Sequence, residues 1–533
     1  MTISKGLIER YKTNTMKTQS LSKLLLTVLI FTLFMLQNKA NAQKQPQNIL
    51  DQSISIFAED EPLEDVIRKI CDQFNLDFNY NSKLIKGKRV NLSISNKSVK
   101  EVLESLMKDF YLIFEIENNL LVVRDYIPMS EHIDFEKLYT APSFGFLFDN
   151  PSKKSLVIDF KQVSNLIVIP VSINGSDTMN FILDTGVRDP IITELTLVEE
   201  LNLNYLKSID LRGLGSEIIT QAYQSGDNQI KLPGLTASHQ KINVILDENF
   251  QISQILGMPV HGLIGFNLFK HYIIKVDYRN EKIRLYKPQF FEYKPRKNDI
   301  VLPLSFIGNN KPIIKSEVIQ DDGKVVPVSL LVDTGASDAL WISTQTDTTL
   351  KIPEKNIYAF LGAGLGGDLF GYKGRLSALW LGGRPMSTPI VSYPSDDFIN
   401  NLVVSEHRNG SIGGEILRRF TVTFDYYNKR MILDPNPGIN DNFYYNMSGL
   451  ELINPVPGVQ VYTVSNVIEG SPAWNAGIRK NDQVLSINHQ NHRDLTLNDI
   501  NLMLRQKENK KIRMEVLRNG QKISTIFHLQ EVF

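Results

Sequence analysis

Hydrophobic and polar positions change rhythm several times along this chain. Leu24 to Leu36 is a run of 13 largely apolar residues, preceded by Lys17 and Lys23. Between residues 49 and 126 the spacing switches between strand-like and helix-like. Ser53-Ile54-Ser55-Ile56-Phe57 predicts a strand and Leu63 to Phe74 an amphipathic helix; Val90-Asn91-Leu92-Ser93-Ile94 predicts a strand and Val99 to Phe110 a second helix. Strands follow around Leu112–Ile116 and Leu120–Val123. Residues 127–155, with Pro128, Pro142 and Pro151, read as an irregular linker that packs in part on the following domain. Further on, two apolar runs, Phe181-Ile182-Leu183 and Leu330-Leu331-Val332, each end in Asp-Thr-Gly. Near the C-terminus, Leu497 to Arg505 predicts one more helix.

The Asp-Thr-Gly copies do not recur alone. Gly262-Leu263-Ile264-Gly265 ends 81 residues after Asp184, and Gly410-Ser411-Ile412-Gly413 ends 80 residues after Asp333. A third matched stretch follows each: Lys275-Val276-Asp277-Tyr278 in one copy and Thr423-Phe424-Asp425-Tyr426 in the other, offset by 148 residues. Similarity at one fixed offset marks residues 180–285 and 329–433 as a duplication. A single Asp-Thr-Gly is no more than a strand followed by a turn, whereas two copies can bring two carboxylates together as one acid/base pair.

At these residues, over positions 156–436, the chain resembles the aspartic proteases, each half being similar to one retroviral-protease subunit and the pair to the two lobes of a pepsin-type enzyme. The resemblance implies a mainly β protein with two retropepsin-like β-barrel lobes, residues 156–296 and 297–436, forming a bilobal acid protease. It implies Asp184 and Asp333 as the catalytic pair, Thr185 and Thr334 as cross-axis braces, and Gly186, Gly335 and Ser337 as support. Carboxylates about 3 Å apart cannot both ionise, so they share a proton and serve as base and acid toward water and a carbonyl. Which of the two starts ionised stays open at this level. Gly213-Leu214-Gly215 and Gly364-Leu365-Gly366, within the glycine-rich 362–367, suit flap hairpins over the cleft, although ordinary hairpin tips have the same composition. The second motif continues Ala336-Ser337, as in the family, whereas the first continues Val187-Arg188-Asp189-Pro190 and departs from it. Arg188 is read either as a solvated surface arginine beside Asp189 or as a cation turned toward the pair or the substrate.

Three flanking regions complete the domain plan. Residues 1–42 read as a secretory signal peptide with a small-residue site, Ala40-Asn41-Ala42, before Gln43; the apolar run is short for a membrane span. The strand-helix order of residues 49–126 looks like the short N-terminal domain of secretins and TonB-dependent receptors. That likeness implies an exported protein in the periplasm or envelope of a Gram-negative bacterium, with an envelope protein as partner. Residues 447–532 contain Gly470-Ser471-Pro472-Ala473-Trp474-Asn475-Ala476-Gly477-Ile478 and Asp482-Gln483-Val484-Leu485-Ser486-Ile487-Asn488 and resemble bacterial PDZ domains. The resemblance implies that peptide termini bind there as an added strand, unless the domain only packs on and orients the second lobe. Asn481 stands where glycine usually precedes that aspartate, a place a left-handed turn tolerates.

Composition narrows the chemistry. Lys+Arg and Asp+Glu both total 58, with no basic run interleaved with aromatics, which disfavours nucleic acid. The eight histidines form no close ligand set, so neither metal nor other cofactor is expected. No Gly-x-Ser-Gly-Gly segment supports a serine protease, and no Lys-Ser/Thr follows the glycines as in a P-loop. The one cysteine, Cys71, lies in a helical apolar pattern and is expected to be a buried thiol. The leading reading is an exported aspartic endopeptidase acting on peptides or proteins. Its rival is a non-catalytic peptide-binding or signalling protein built on degenerate lobes.

Overall fold

The computed structural model describes residues 49–531 apart from 81–84, 109, 111, 118–119, 126–144, 195–200, 212–219, 246–251, 309 and 396–405. The expected signal peptide and the first flap glycines, Gly213-Leu214-Gly215, lie outside the described residues. The chain divides into two units, residues 1–127 and 128–533.

In the first unit, Ser53–Pro62 pairs antiparallel with Arg89–Ser98, and a three-stranded sheet sets Asp77–Tyr80 parallel to Leu120–Asp125, which pairs with Leu112–Glu117. The helix Leu63–Gln73 buries Leu63, Val66, Ile67, Ile70 and Cys71, the spacing that places an apolar stripe on one face. Val99–Lys108 buries Val99, Val102, Leu103, Leu106 and Met107 in the same way. Cys71 is a buried thiol outside any disulfide, as its pattern predicts. The strand Asp77–Tyr80 has no counterpart in the sequence reading; its four residues carry too short a pattern to separate from a loop.

The second unit is mostly β. Strand Leu166–Ile173 is apolar almost throughout and buried on both faces over its first four residues, as befits a strand covered on both sides. The two repeats fold with the same local topology. Met179–Leu183 lies parallel to Gly262–Ile264, which pairs antiparallel with Ile191–Ile192. Val325–Val332 lies parallel to Gly410–Ile412, which pairs antiparallel with Leu340–Ile342. The third matched stretch joins the halves: Ile273–Asp277 pairs antiparallel with Phe420–Asp425 at the centre of a six-stranded sheet to which both lobes contribute. Phe269, Phe424 and Tyr426 pack their rings together in the core common to the two halves.

The expected linker ends earlier than its prolines suggest. Phe146 is fully buried, and Leu147–Phe148 pairs with Leu235 and Thr236 of the first lobe. Ser155–Asp159 adds to the shared sheet beside Lys282–Tyr286. Phe146 and Phe148 are core residues of the lobe, and Pro151 lies between two short strands.

In the C-terminal domain the sheet runs Leu450–Ile453, Tyr462–Val467, Gln483–Ile487, Lys511–Arg518, Gln521–His528, with the helix Leu497–Leu504 against it. A capping box between Thr496 and Asp499 starts that helix. Asn481 takes φ +72°, the left-handed turn expected of it. Asp482 is fully buried and accepts both nitrogens of the Arg518 fork and the Arg479 backbone N–H.

Candidate active site

Each Asp-Thr-Gly sits on the loop leaving its parallel strand, tied to the glycine element behind it. The Asp184 backbone N–H donates to the Ile264 carbonyl at 2.8 Å and the Asp333 N–H to the Ile412 carbonyl at 2.9 Å. The glycines of those elements are required by close backbone approach rather than by unusual dihedrals. A β-carbon on Gly265 would lie 1.8 Å from the Asp184 carbonyl oxygen, and one on Gly413 would lie 2.3 Å from that of Asp338. Gly262 and Gly410 are crowded in the same way by the Ile191 and Trp341 carbonyls, at 2.2 and 1.9 Å.

The two loops meet at the centre of the unit. Thr185 and Thr334 are buried, and each backbone N–H donates to the other's hydroxyl at 3.1 Å. The Thr185 hydroxyl donates to the Val332 carbonyl at 2.5 Å and that of Thr334 to the Leu183 carbonyl at 2.7 Å, so both loops are locked to the opposite strand. Gly186 N–H donates to Asp184 Oδ1 at 2.7 Å and Gly335 N–H to Asp333 Oδ1 at 2.9 Å, which orients both carboxylates. The Asp184 carboxylate reaches across to the second loop: a β-carbon on Gly335 would stand 2.4 Å from its Cγ and Oδ2. Gly335 is therefore small because the opposite aspartate needs its space.

Electrostatics distinguishes the two acids. Burial, then the charge of Asp333, raises Asp184 to about 7, against opposing contributions from the Gly186 and Val187 amides and Lys311. Asp333 is also raised by burial, but the Arg408 guanidinium is the largest influence holding it down, followed by the Gly335 amide and Lys311. The pair titrates as a unit, with the cation set on the Asp333 side.

Family models match three stretches of the chain. Residues 169–268 match the family model described as aspartyl protease, residues 463–518 that of the PDZ domain, and residues 55–123 that of the FecR C-terminal domain. The aspartyl protease match covers the half carrying Val187-Arg188. The N-terminal match is to FecR and not to the short domain of secretins and TonB-dependent receptors, whose strand-helix pattern alone carried the expected likeness. No curated protein matched. Among solved structures, the aspartic proteinase from Irpex lacteus is 13% identical, with a TM-score of 0.35, over 54% of this chain and 100% of that one.

The half with the divergent motif keeps the same local geometry as the other. Val187 is buried in an apolar cluster, its N–H donating to the Asp184 carbonyl at 3.2 Å, while Arg188 is exposed. Arg188 thus takes the surface alternative, and the cations acting on the pair are Lys311 and Arg408. Sequence reading missed both. Glu406 joins them, accepting from Lys311 at 2.5 Å and from Arg408 at 2.6 Å, and the Arg408 guanidinium, buried, lies 5.0 Å from the Trp341 ring centroid. Arg408 stands two residues before the second glycine element, where a charged residue entering a buried strand was the available signal.

Gly364-Leu365-Gly366 occupies a hairpin tip. Asn356–Gly364 and Gly367–Arg375 pair antiparallel, with positive φ at Gly362 and Gly367. Leu365 packs against the first-lobe cluster that contains Val187, and its carbonyl accepts the Thr220 hydroxyl. The hairpin of the second half therefore reaches over to the first lobe. Ser337 contributes its carbonyl, which accepts from Asn165 of the first lobe at 3.0 Å. Among the described residues no cluster of His, Cys, Asp and Glu could hold a metal ion.

Proposed function

We propose that this protein is an aspartic endopeptidase that hydrolyses peptide bonds with water activated between Asp184 and Asp333. The observation that carries the reading is the reciprocal Thr185–Thr334 lock, which sets two half-buried carboxylates on facing loops. Asp333, beside Arg408, is the carboxylate that takes a proton from water. Asp184, held protonated toward neutral pH, gives its proton to the carbonyl oxygen of the substrate. The tetrahedral diol so formed collapses when Asp333 passes the proton it took from water to the nitrogen, Asp184 takes a proton back from a diol hydroxyl, and the carbon–nitrogen bond breaks. No acyl-enzyme forms and no cofactor takes part.

The substrate class is an extended peptide or unfolded protein segment held under the flap, with the PDZ domain contributing to its binding. The apolar leader supports export to the periplasm or envelope. Turnover should survive a chelator and vanish in Asp184→Asn and Asp333→Asn while both variants stay folded. The rival, a peptide-binding protein without catalysis, predicts peptide affinity unchanged by either substitution and no turnover in the wild type.

A further inference from the structure

In a PDZ domain an incoming peptide adds as a strand beside the sheet's edge, between that edge and the helix. Here the edge strand is Leu450–Ile453, paired on one side with Tyr462–Val467. Its other side is engaged within the chain at both ends. The Leu450 N–H donates to Ser448 Oγ at 3.1 Å, and its carbonyl accepts from Asn446 Nδ2 at 2.6 Å. Just past the strand, the Asn454 N–H donates to the Gln254 carbonyl of the first lobe at 2.9 Å. The flanking helix is docked as well: Asn498 Oδ1 accepts the Ser164 N–H at 3.0 Å, and Gly257 lies against Leu497.

Across a cavity from the middle of this edge stands the second-half hairpin. Ile357 packs against the PDZ core, and Phe360 lines one cavity with Glu451 of the edge strand, its backbone amide acting on the Glu451 carboxylate. At the base of the hairpin, Arg375 binds Glu531 at 2.7 Å and donates to the Phe443 carbonyl at 3.1 Å. Both flap strands are thereby fastened to the C-terminal domain, while the tip rests on the first lobe. A cavity of about 240 Å³ remains between them, walled by Ala359 and Leu361 of the flap, Asp338 beside the second Asp-Thr-Gly, and Glu451 and Leu452 of the PDZ edge.

We propose that the PDZ domain is a clamp on the flap, with Glu451 as a positioning residue, and that its peptide-pairing edge serves the protease cleft of the same chain instead of capturing free C-termini. The proposal rests on the endopeptidase reading for its catalytic consequence, though not for its structural one. A hairpin fastened at its base and middle opens only at its tip. The PDZ edge also forms the far wall of the space beside Asp338. Longer extended peptides that reach that wall should then bind better than short ones.

The test is hydrogen exchange on the chain beginning at Gln43, read over residues 356–375, together with kcat and KM for a cleaved peptide. Glu451→Ala and Arg375→Ala should each speed exchange in the hairpin about tenfold and raise KM several-fold with a smaller change in kcat. Exchange in the PDZ strands Gln483–Ile487 and Lys511–Arg518 should stay as in the wild type. Glu451→Gln, which still accepts a hydrogen bond, should restore most of both effects. Unchanged hairpin exchange in both alanine variants would overturn the clamp, as would tight binding of a free C-terminal peptide that leaves the hairpin unaffected. An inactive wild type would count against the endopeptidase reading, and exchange alone would still decide the clamp.

Discussion

Thr185 and Thr334 hold one another by paired hydrogen bonds, each backbone N–H 3.1 Å from the other's hydroxyl, and each hydroxyl bound to a carbonyl of the opposite half. Neither threonine touches solvent appreciably. Thr185→Val strands the Thr334 N–H and the Val332 carbonyl in a buried site, at about 1–3 kcal/mol each. Urea denaturation should show a loss of about 2–6 kcal/mol, with cleavage reduced at least as strongly. Thr185→Ser keeps the bonds and should lie close to the wild type on both measures.

The two motif glycines should respond unequally. A β-carbon at Gly335 would meet the Asp184 carboxylate at 2.4 Å, whereas at Gly186 the nearest atom is Asp184 Oδ1 at 3.1 Å. Gly335→Ala should abolish cleavage, since the carboxylate must swing away. Gly186→Ala should retain measurable activity. Side-by-side kinetics with circular dichroism as a folding control checks the contrast.

The pH profile follows from the acids. With Asp184 raised to about 7 by burial and by Asp333, cleavage should decline as pH rises through about 7, when the shared proton is lost. Arg408→Met removes the main charge holding Asp333 down, so the acidic limb of kcat/KM should shift to higher pH. Arg408→Lys, which keeps the charge, should leave that limb near the wild-type position.

Stability carries the same signature with a definite sign. Asp184 binds its proton more tightly folded than unfolded, its usual value of 3.8 being raised to about 7. Its contribution is fully present below about pH 3.8 and is lost as pH rises through about 7. Asp184→Asn should therefore be more stable than the wild type above pH 7, by a few kcal/mol at most, given about 1.4 kcal/mol per pKa unit. Denaturation midpoints at pH 4 and pH 8 would show the gap opening only at the higher pH.

Much of this arrangement was legible in the chain. The doubled Asp-Thr-Gly and its glycine elements are visible because backbone packed against backbone tolerates no side chain, and that demand writes itself into local sequence. The third matched stretch, around Asp277 and Asp425, marked the strands that join the lobes. Arg408, Lys311 and Glu406 were not legible as a set, since Lys311 meets Glu406 only across 95 residues that the fold closes. The PDZ edge was missed for a similar reason: Gly449-Leu450 carries little pattern of its own, and Glu451 acquires meaning only when the flap lies beside it.

The most direct test of the dyad is cleavage of a diverse peptide library from pH 3 to 8 by the chain beginning at Gln43, with Asp333→Asn run in parallel. The account predicts cleavage by the wild type alone, falling off above about pH 7. Equal cleavage by both proteins, or none by a folded wild type at any pH in that range, would contradict it.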